Sequence, residues 1–299
     1  MTAEDEHAAH AESLPKHDRH GDFRKVQASR PTWDHESGVR FTQTVAPDWT
    51  FGDGANSATG PSAAVDRKHV GFAPFAEGRT PRQNYKLLIG AVAPRPIGLV
   101  STVSPDGQTN LAPFSFFNVV AFDPPLFIFG FTSTVEKPND TLRNLLANRQ
   151  CVINVISEHM IEAANSTSTD APYGDSEWDV SGLTQVHDCV NVKPPRVRES
   201  VFSIEGHLDS IKEVDSRTNP GAKAATVAFI EGTYFWARED AVNESNDLLD
   251  LNVVRPIGRL GGITYGRTED VFEILRPDFE KNIGGQEGLK EIKKKQKSN

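Results

Sequence analysis

From residue 84 onward the chain reads as short apolar runs separated by turns, whereas before it apolar residues are single and unperiodic. Arg95 to Val103, RPIGLVSTV, sets β-branched residues between a Pro and Ser-Pro-Asp-Gly, which predicts a strand followed by a turn. A second strand is expected from Thr109 to Phe117 and a third, LFIFGF, from Leu126 to Phe131; links this short imply an antiparallel sheet. Pro138, with Asn139 or Asp140 as cap, opens a predicted helix ending at Asn148. CVINVIS is a continuous apolar run, expected to be a strand buried on both faces. Tyr85 to Ile89 is a short amphipathic segment, Glu158 to Asn165 is expected to be helical, and Ser166 to Leu183 is a loop long enough to fold over a site. Two longer strands, PRVRESVFSIEGHLDSIKEVD and AATVAFIEGTYFWARED, flank a turn at Ser216 to Ala222. The Gly-rich LNVVRPIGRLGGITYGR and a short strand near Val271 to Leu275 close the pattern. Six or so antiparallel strands with two or three peripheral helices predict a mainly β fold, a β-barrel of about 200 residues.

Composition changes this picture at the two ends. Residues 1–80 are rich in His, Asp, Glu, Ala, Ser, Gly and Pro and cannot bury enough apolar surface to offset roughly 1 to 2 kcal/mol per residue of backbone entropy. They are expected to be a disordered or loosely docked leader, with Trp33 and the pair Trp49 and Phe51 as possible anchors. The barrel is expected over 84–277, and 278–299, ending in LKEIKKKQKSN, as a basic flexible tail. Six of the nine histidines, His7, His10, His17, His20, His35 and His69, fall in the leader. Their irregular spacing, with no Cys among them, favours solvated low-complexity sequence over a metal site.

A net charge of -9 and a pI near 5.5 argue against a nucleic-acid surface, which needs clustered Lys and Arg. No secretory signal pattern and no run of membrane-spanning length is seen, so neither a nucleic acid nor a membrane is expected as partner, and the expected location is cytoplasmic. Cys151 and Cys189 alone suit a reducing compartment.

Several chemistries lack their motifs. There is no G-x-x-x-x-G-K-[ST] and no G-x-S-x-G; His159-Met-Ile-Glu162 has no second His, and GDGANS at Gly52 has no strand before it. His187-Asp-Cys189 offers two metal ligands, too few for a site. One window remains. Ser133, Thr134, Lys137 and Thr141 at a helix start could hold a phosphate through hydroxyls, a cation and amide N–H groups. The turn NLAPFSFFN offers irregular backbone beside Pro113 and the aromatic residues Phe114, Phe116 and Phe117 for a flat ring. Each part also has a plainer reading: core aromatics, a solvated lysine, an ordinary helix cap.

The order of the parts is more specific than any one of them. NLAPFSFFN, then DPPL, a strand and K-x-x-D-T-L-R-N resembles the flavin reductase-like family, whose fold is the FMN-binding split barrel. APRPIGLVST, CVINVISEHMIEAAN, APYGDSEW, PPRVRES and RPIGRLGGITYG extend the resemblance over roughly Asn84 to Pro277, and the leader with WTFGDGAN resembles the extension of fungal members. The resemblance implies a homodimer with FMN near the subunit interface, NADH or NADPH as hydride donor, and a small-molecule acceptor. Hydride would pass from nicotinamide C4 to flavin N5 and electrons onward to the acceptor, with no catalytic side chain required.

Carried over by position, Arg95, Pro96, Ser101 and Thr102 lie on the first strand beside the flavin. Asn110, Ala112, Pro113, Phe114, Ser115, Phe116 and Asn118 line the ring and ribityl chain, and Ser133, Lys137 and Thr141 hold the phosphate. The family's K-D-T is here K-P-N-D-T, which leaves open whether Lys137 or a backbone amide makes the main phosphate contact. Two other activities fit the same resemblance: a flavoprotein oxygenase or reductase acting directly on an organic substrate, and a flavin-binding protein without turnover. His159 and Tyr173 are candidates for a later proton donation, each with a structural alternative.

Overall fold

The computed structural model describes residues 22–34, 37–56 and 68–298. The candidate metal residues His7, His10, His17, His20 and His35 lie outside them. Two compact units emerge, the first containing residues 22–34 and 74–268, the second 37–56, 68–73 and 269–298.

The first unit is built on a seven-stranded sheet. Its strands are β1 (Gly98–Val103), β2 (Thr109–Phe114), β3 (Phe117–Phe122), β4 (Pro125–Phe131), β5 (Gln150–Val155), β6 (Phe202–Asp215) and β7 (Lys223–Ala237). They lie in the order β2-β1-β5-β6-β7-β4-β3, antiparallel at every pairing. The Ser-Pro-Asp-Gly turn joins β1 to β2 as expected: Gly107 has φ 87°, and its amide donates to the Ser104 carbonyl at 3.0 Å.

Successive residues of the central strands feed two different cores, which is why GLVSTV and CVINV are buried almost throughout instead of on alternate residues. Val100 and Ile153 join Phe127, Phe129, Phe131, Ile204 and Ile230 in one core, sealed by Leu142 and Leu145 of the Asp140–Asn148 helix. Leu99 and Leu111 point into the other, with Ile97, Ile156, Met160, Trp178 and Val197. Trp178 therefore sits in packed structure, on the short helix Glu177–Ser181, and the expected open loop from 166 to 183 is interrupted there.

One expected strand divides. Thr109 to Phe117 breaks at Ser115 and Phe116, so that β2 and β3 lie on opposite edges of the sheet although only two residues separate them. The sheet must therefore curl until its edges meet at those two residues, and there the Gly130 amide of β4 donates to the Phe116 carbonyl at 2.8 Å. We call this place the seam. A hairpin of β8 (Ile257–Gly261) and β9 (Thr264–Arg267) reaches the first strand's approach, where Arg95 and Arg259 exchange backbone hydrogen bonds of 3.0 and 2.9 Å.

Ahead of the sheet, the Tyr85–Ile89 segment belongs to a longer helix, Pro81–Ala91. Thr80 and Gln83 form a reciprocal capping box at its start. Trp33 of the leader lies against this unit, with the guanidinium groups of Arg267 and Arg255 at 4.1 and 5.6 Å from its ring centroid. Both arginines also pair with Glu158.

In the second unit Arg40–Phe41 pairs in parallel with Asp270–Val271. Trp49 and Phe51 meet edge to face at 5.6 Å, and Lys295 bonds Asp53 at 2.8 Å. The basic C-terminal segment differs from the flexible tail expected for it: it forms the helices Phe279–Ile283 and Gly285–Ser298. Asp278 caps the first by accepting from the Lys281 amide, and Ile292 of the second closes on Gly52. The apolar pair Leu289 and Ile292, three apart, carried that periodicity but is masked by the surrounding lysines. No helix of the described residues is long and apolar enough to cross a membrane.

Candidate flavin site

The seam gathers the residues expected around a ring. Phe114 is half-buried and packs edge-on against Phe131 and Phe129, at 5.0 and 6.0 Å between centroids. Phe117 stacks on Phe129 at 4.7 Å. Both rings therefore belong to the core. Phe116, in the break between the two strands, stays 42% exposed and is the aromatic open to a ligand. Ala112, Pro113 and Ser115 are half-buried beside it; Asn118 is exposed and accepts from the Val119 amide.

Arg95 is buried, and its guanidinium is largely committed. Nη1 donates to the carbonyls of Ile89 and Val92, at 2.6 and 2.7 Å, and Nε to Ser115 Oγ at 3.3 Å. Burial lowers its pKa from the usual guanidinium value; Tyr85 opposes this and the positive charge of Arg259 adds to it. Pro96, next in sequence, is exposed.

Ser101, Thr102, Asn110 and Thr141 are all buried. Asn110 Nδ2 donates to Thr102 Oγ1 and Thr141 Oγ1, at 3.2 and 3.0 Å, and Asn144 Nδ2 donates to Thr102 Oγ1 at 3.1 Å. Thr141, in the first turn of the Asp140–Asn148 helix, is thereby placed inside a four-residue polar knot. Asn144, one turn on, was not singled out from the sequence; its spacing from Thr141 is the helical signal that could have found it. Ser101 Oγ and Asn144 Oδ1 are buried without a partner among the described residues.

The loop after β4 holds the remaining candidates. Ser133 Oγ is buried and has no partner among the described residues. Lys137 is exposed, and its amide donates to Thr134 Oγ1 at 3.2 Å. The helix that follows is capped by Asn139, whose side chain accepts from the Leu142 amide at 3.0 Å. Asp140 in its first turn has a carboxyl pKa raised by burial, partly offset by Arg143 and reinforced by Asp170.

Two concavities lie near this knot. The larger, about 160 Å³, is lined by Val103, Ser104, Pro105, Gly107, Asn148, Gln150, Lys193 and Pro194, and includes none of the expected site residues. A second, of about 10 Å³, has room for about one water and is lined in part by Asn110, Asp140, Asn144 and Tyr173. Tyr173 packs under the Arg143 guanidinium at 4.2 Å, and His159 Nε2 lies 3.1 Å from the Glu199 carbonyl oxygen. Burial pushes both cysteine thiols up to about 12, so neither is a thiolate nucleophile near neutral pH. Among the described residues no group of three or more His, Cys, Asp or Glu could hold a metal ion. What the arrangement offers is a holder: an open aromatic, an orphaned hydroxyl and a cation.

Residues 90–252 match the family model of the flavin reductase like domain, more than half of the chain. The chain belongs to that family. This flavin reductase-like match includes the seam, the knot and the Ser133 loop, and none of the leader. Among solved structures, nitrilotriacetate monooxygenase component B from Bacillus cereus aligns with a TM-score of 0.65 at 26% identity, over 70% of this chain and 100% of that one. The 2-nitrobenzoate 2-nitroreductase NbaA of Pseudomonas fluorescens aligns at 0.60 and 30% identity, over 71% and 98%. A protein with a split barrel domain from Shewanella frigidimarina aligns at 0.56 and 19%, over 70% and 100%, a likeness of fold alone. The flavin reductase-like chain is thus a split barrel of an oxidoreductase family whose chemistry runs on a flavin and a nicotinamide.

Proposed function

We propose that the chain is an FMN-dependent oxidoreductase that accepts hydride from NADH or NADPH and works as a homodimer. The observation that carries this is the combination of Phe116, open at the seam, with Ser133 Oγ, buried without a partner among the described residues two residues after β4, the strand that bonds the seam. An orphaned buried hydroxyl calls for a partner, and a phosphoryl oxygen would supply one. The residues present fit FMN at Ser133, Lys137, Ser115, Phe116 and Asn118. They fit less well at Ser101 and Thr102, which are fully buried, so those two would support the strand behind the ring instead of touching it.

Bound FMN would supply two-electron chemistry between nicotinamide and acceptor. The chain's own part is to hold and orient: Phe116 offers an apolar face, Asn118 an amide at the rim, Lys137 a charge for the phosphate. The apolar outer strand β3, with Val119, Val120 and Phe122 exposed, supports pairing with a second copy. A cytoplasmic location accords with the two free thiols.

A second reading has its own support. NbaA, at 30% identity, is by its description a nitroreductase, so direct reduction of an organic acceptor on the enzyme is the alternative to releasing reduced flavin. The absorbance spectrum of purified protein reconstituted with FMN, followed anaerobically on adding NADH or NADPH, tests the first step; bleaching is expected. A colourless protein with no affinity for FMN overturns the reading. Oxidation of NAD(P)H with free flavin alone favours a flavin reductase, and turnover that begins only with a nitroaromatic favours the second.

A further inference from the structure

Phe116 is fixed at three points and open on the fourth side. Its carbonyl accepts from the Gly130 amide at 2.8 Å. Its Cβ lies so near Gly130 that a Cβ on that glycine would stand 3.2 Å away. Its ring meets Tyr85 edge to face, with centroids 6.4 Å apart and planes at 60°. Tyr85 belongs to the Pro81–Ala91 helix, whose C-terminal end is held by Arg95 through the carbonyls of Ile89 and Val92. The same guanidinium reaches Ser115 Oγ, the residue before Phe116. One arginine thus ties the helix to the seam, and one tyrosine on that helix braces the seam's only open aromatic.

We propose that Tyr85 and Arg95 are positioning residues of the flavin site, and that the Pro81–Ala91 helix is the wall that aims Phe116 at the ring. This rests on the FMN reading above and deepens it. Arg95 acts through Ser115 and the helix end, since its Nη1 already serves two carbonyls. Tyr85 acts through Phe116 by removing rotamer freedom before the ligand arrives. Immobilising one side chain beforehand is worth roughly 0.5 to 1.5 kcal/mol, or about twofold to tenfold in affinity. A lysine in place of Arg95 cannot reproduce a fork that serves both carbonyls and the Ser115 hydroxyl together.

The test is FMN titration of full-length protein stripped of flavin, read as dissociation constant and as the visible circular dichroism of the bound ring. Tyr85→Leu and Tyr85→Met are expected to raise the dissociation constant roughly threefold to tenfold and to alter the dichroism. Tyr85→Phe, which keeps the ring, should restore both to within about twofold. In a Phe116→Leu background, Tyr85→Leu should add little. Arg95→Lys should shift the dichroism in the same sense as Tyr85→Leu. Wild-type affinity and dichroism in Tyr85→Leu or Tyr85→Met, or full additivity with Phe116→Leu, would overturn the proposal while leaving the FMN reading intact. Wild-type protein that binds no FMN overturns both, and so separates the two failures. Using Leu and Met together leaves one variant to decide if the other does not fold.

Discussion

At the scale of single residues, the polar knot joins side chains that lie far apart in sequence. Asn110 and Thr141 stand 31 positions apart, and nothing in their spacing says that one amide bonds the other's hydroxyl. Thr141→Val removes an acceptor from a buried amide, and the expected loss is about 1 to 3 kcal/mol of stability, measured by urea unfolding. Unchanged stability would mean that the knot is not structural. Ser133→Ala and Lys137→Ala are expected instead to weaken FMN binding, by about 0.5 to 3 kcal/mol each in titration. Glu177 gives a pH test. Its carboxylate accepts from the Leu111 amide at 3.2 Å, and burial raises its pKa above the ordinary 4.5 despite that bond. A raised carboxyl holds its proton more tightly in the native state, so its contribution is greatest below about pH 4.5 and is lost as the pH climbs through the raised value. Glu177→Gln does not titrate, and its stability relative to wild type should rise from acid toward neutral pH. A difference flat across that range would contradict the burial argument.

At the scale of elements, β1, β4, β5 and the Asp140–Asn148 helix follow the pattern read from sequence, because their apolar runs are buried and their turns carry Pro, Gly or an Asx cap. The exception is instructive. β3, FNVVAF, is apolar yet largely exposed, and period-two patterning assumes one buried face, so the strand was invisible and Phe117 was joined to the strand before it. The break at Ser115 and Phe116 comes from closure of the sheet, a long-range fact that no local window contains. Tyr85 was overlooked for the same reason. Deeper in the sheet, packing is tight enough to predict a cost for one methyl group. A Cβ on Gly206 would stand 2.5 Å from Ile230 Cγ2 and 3.4 Å from Cys151 Sγ. Gly206→Ala is expected to destabilise by about 1 to 3 kcal/mol, seen as a lowered urea midpoint with an unchanged slope. An equal midpoint would show that β6 and β7 shift to make room.

At the scale of the whole molecule, composition distinguishes a polar leader from an apolar body but does not say which distant pieces join. The second unit joins a leader segment to the C-terminal segment: Arg40–Phe41 pairs with Asp270–Val271, the Arg40 side chain bonds Asp270, and Lys295 bonds Asp53. Lys295 and Thr50 hold the Asp53 carboxyl down to about 2, so this contact is charged throughout the physiological range. Exposed ion pairs of this kind contribute little singly. The small unit instead depends on the backbone pairing and on Ile292 closing over Gly52, and all of these are lost if the chain ends at Thr268. Residues 40–56 then lose those contacts, and local ones such as the Trp49–Phe51 pair cannot by themselves offset the entropy of ordering them. Limited proteolysis should therefore cut the shortened chain within 40–56 at a rate well above that of the full chain. The sheet of the first unit, whose strands all lie between Gly98 and Ala237, should stay resistant and keep its melting midpoint within a few degrees. Protection of 40–56 in the shortened chain would mean that the leader is held by something other than the C-terminal segment.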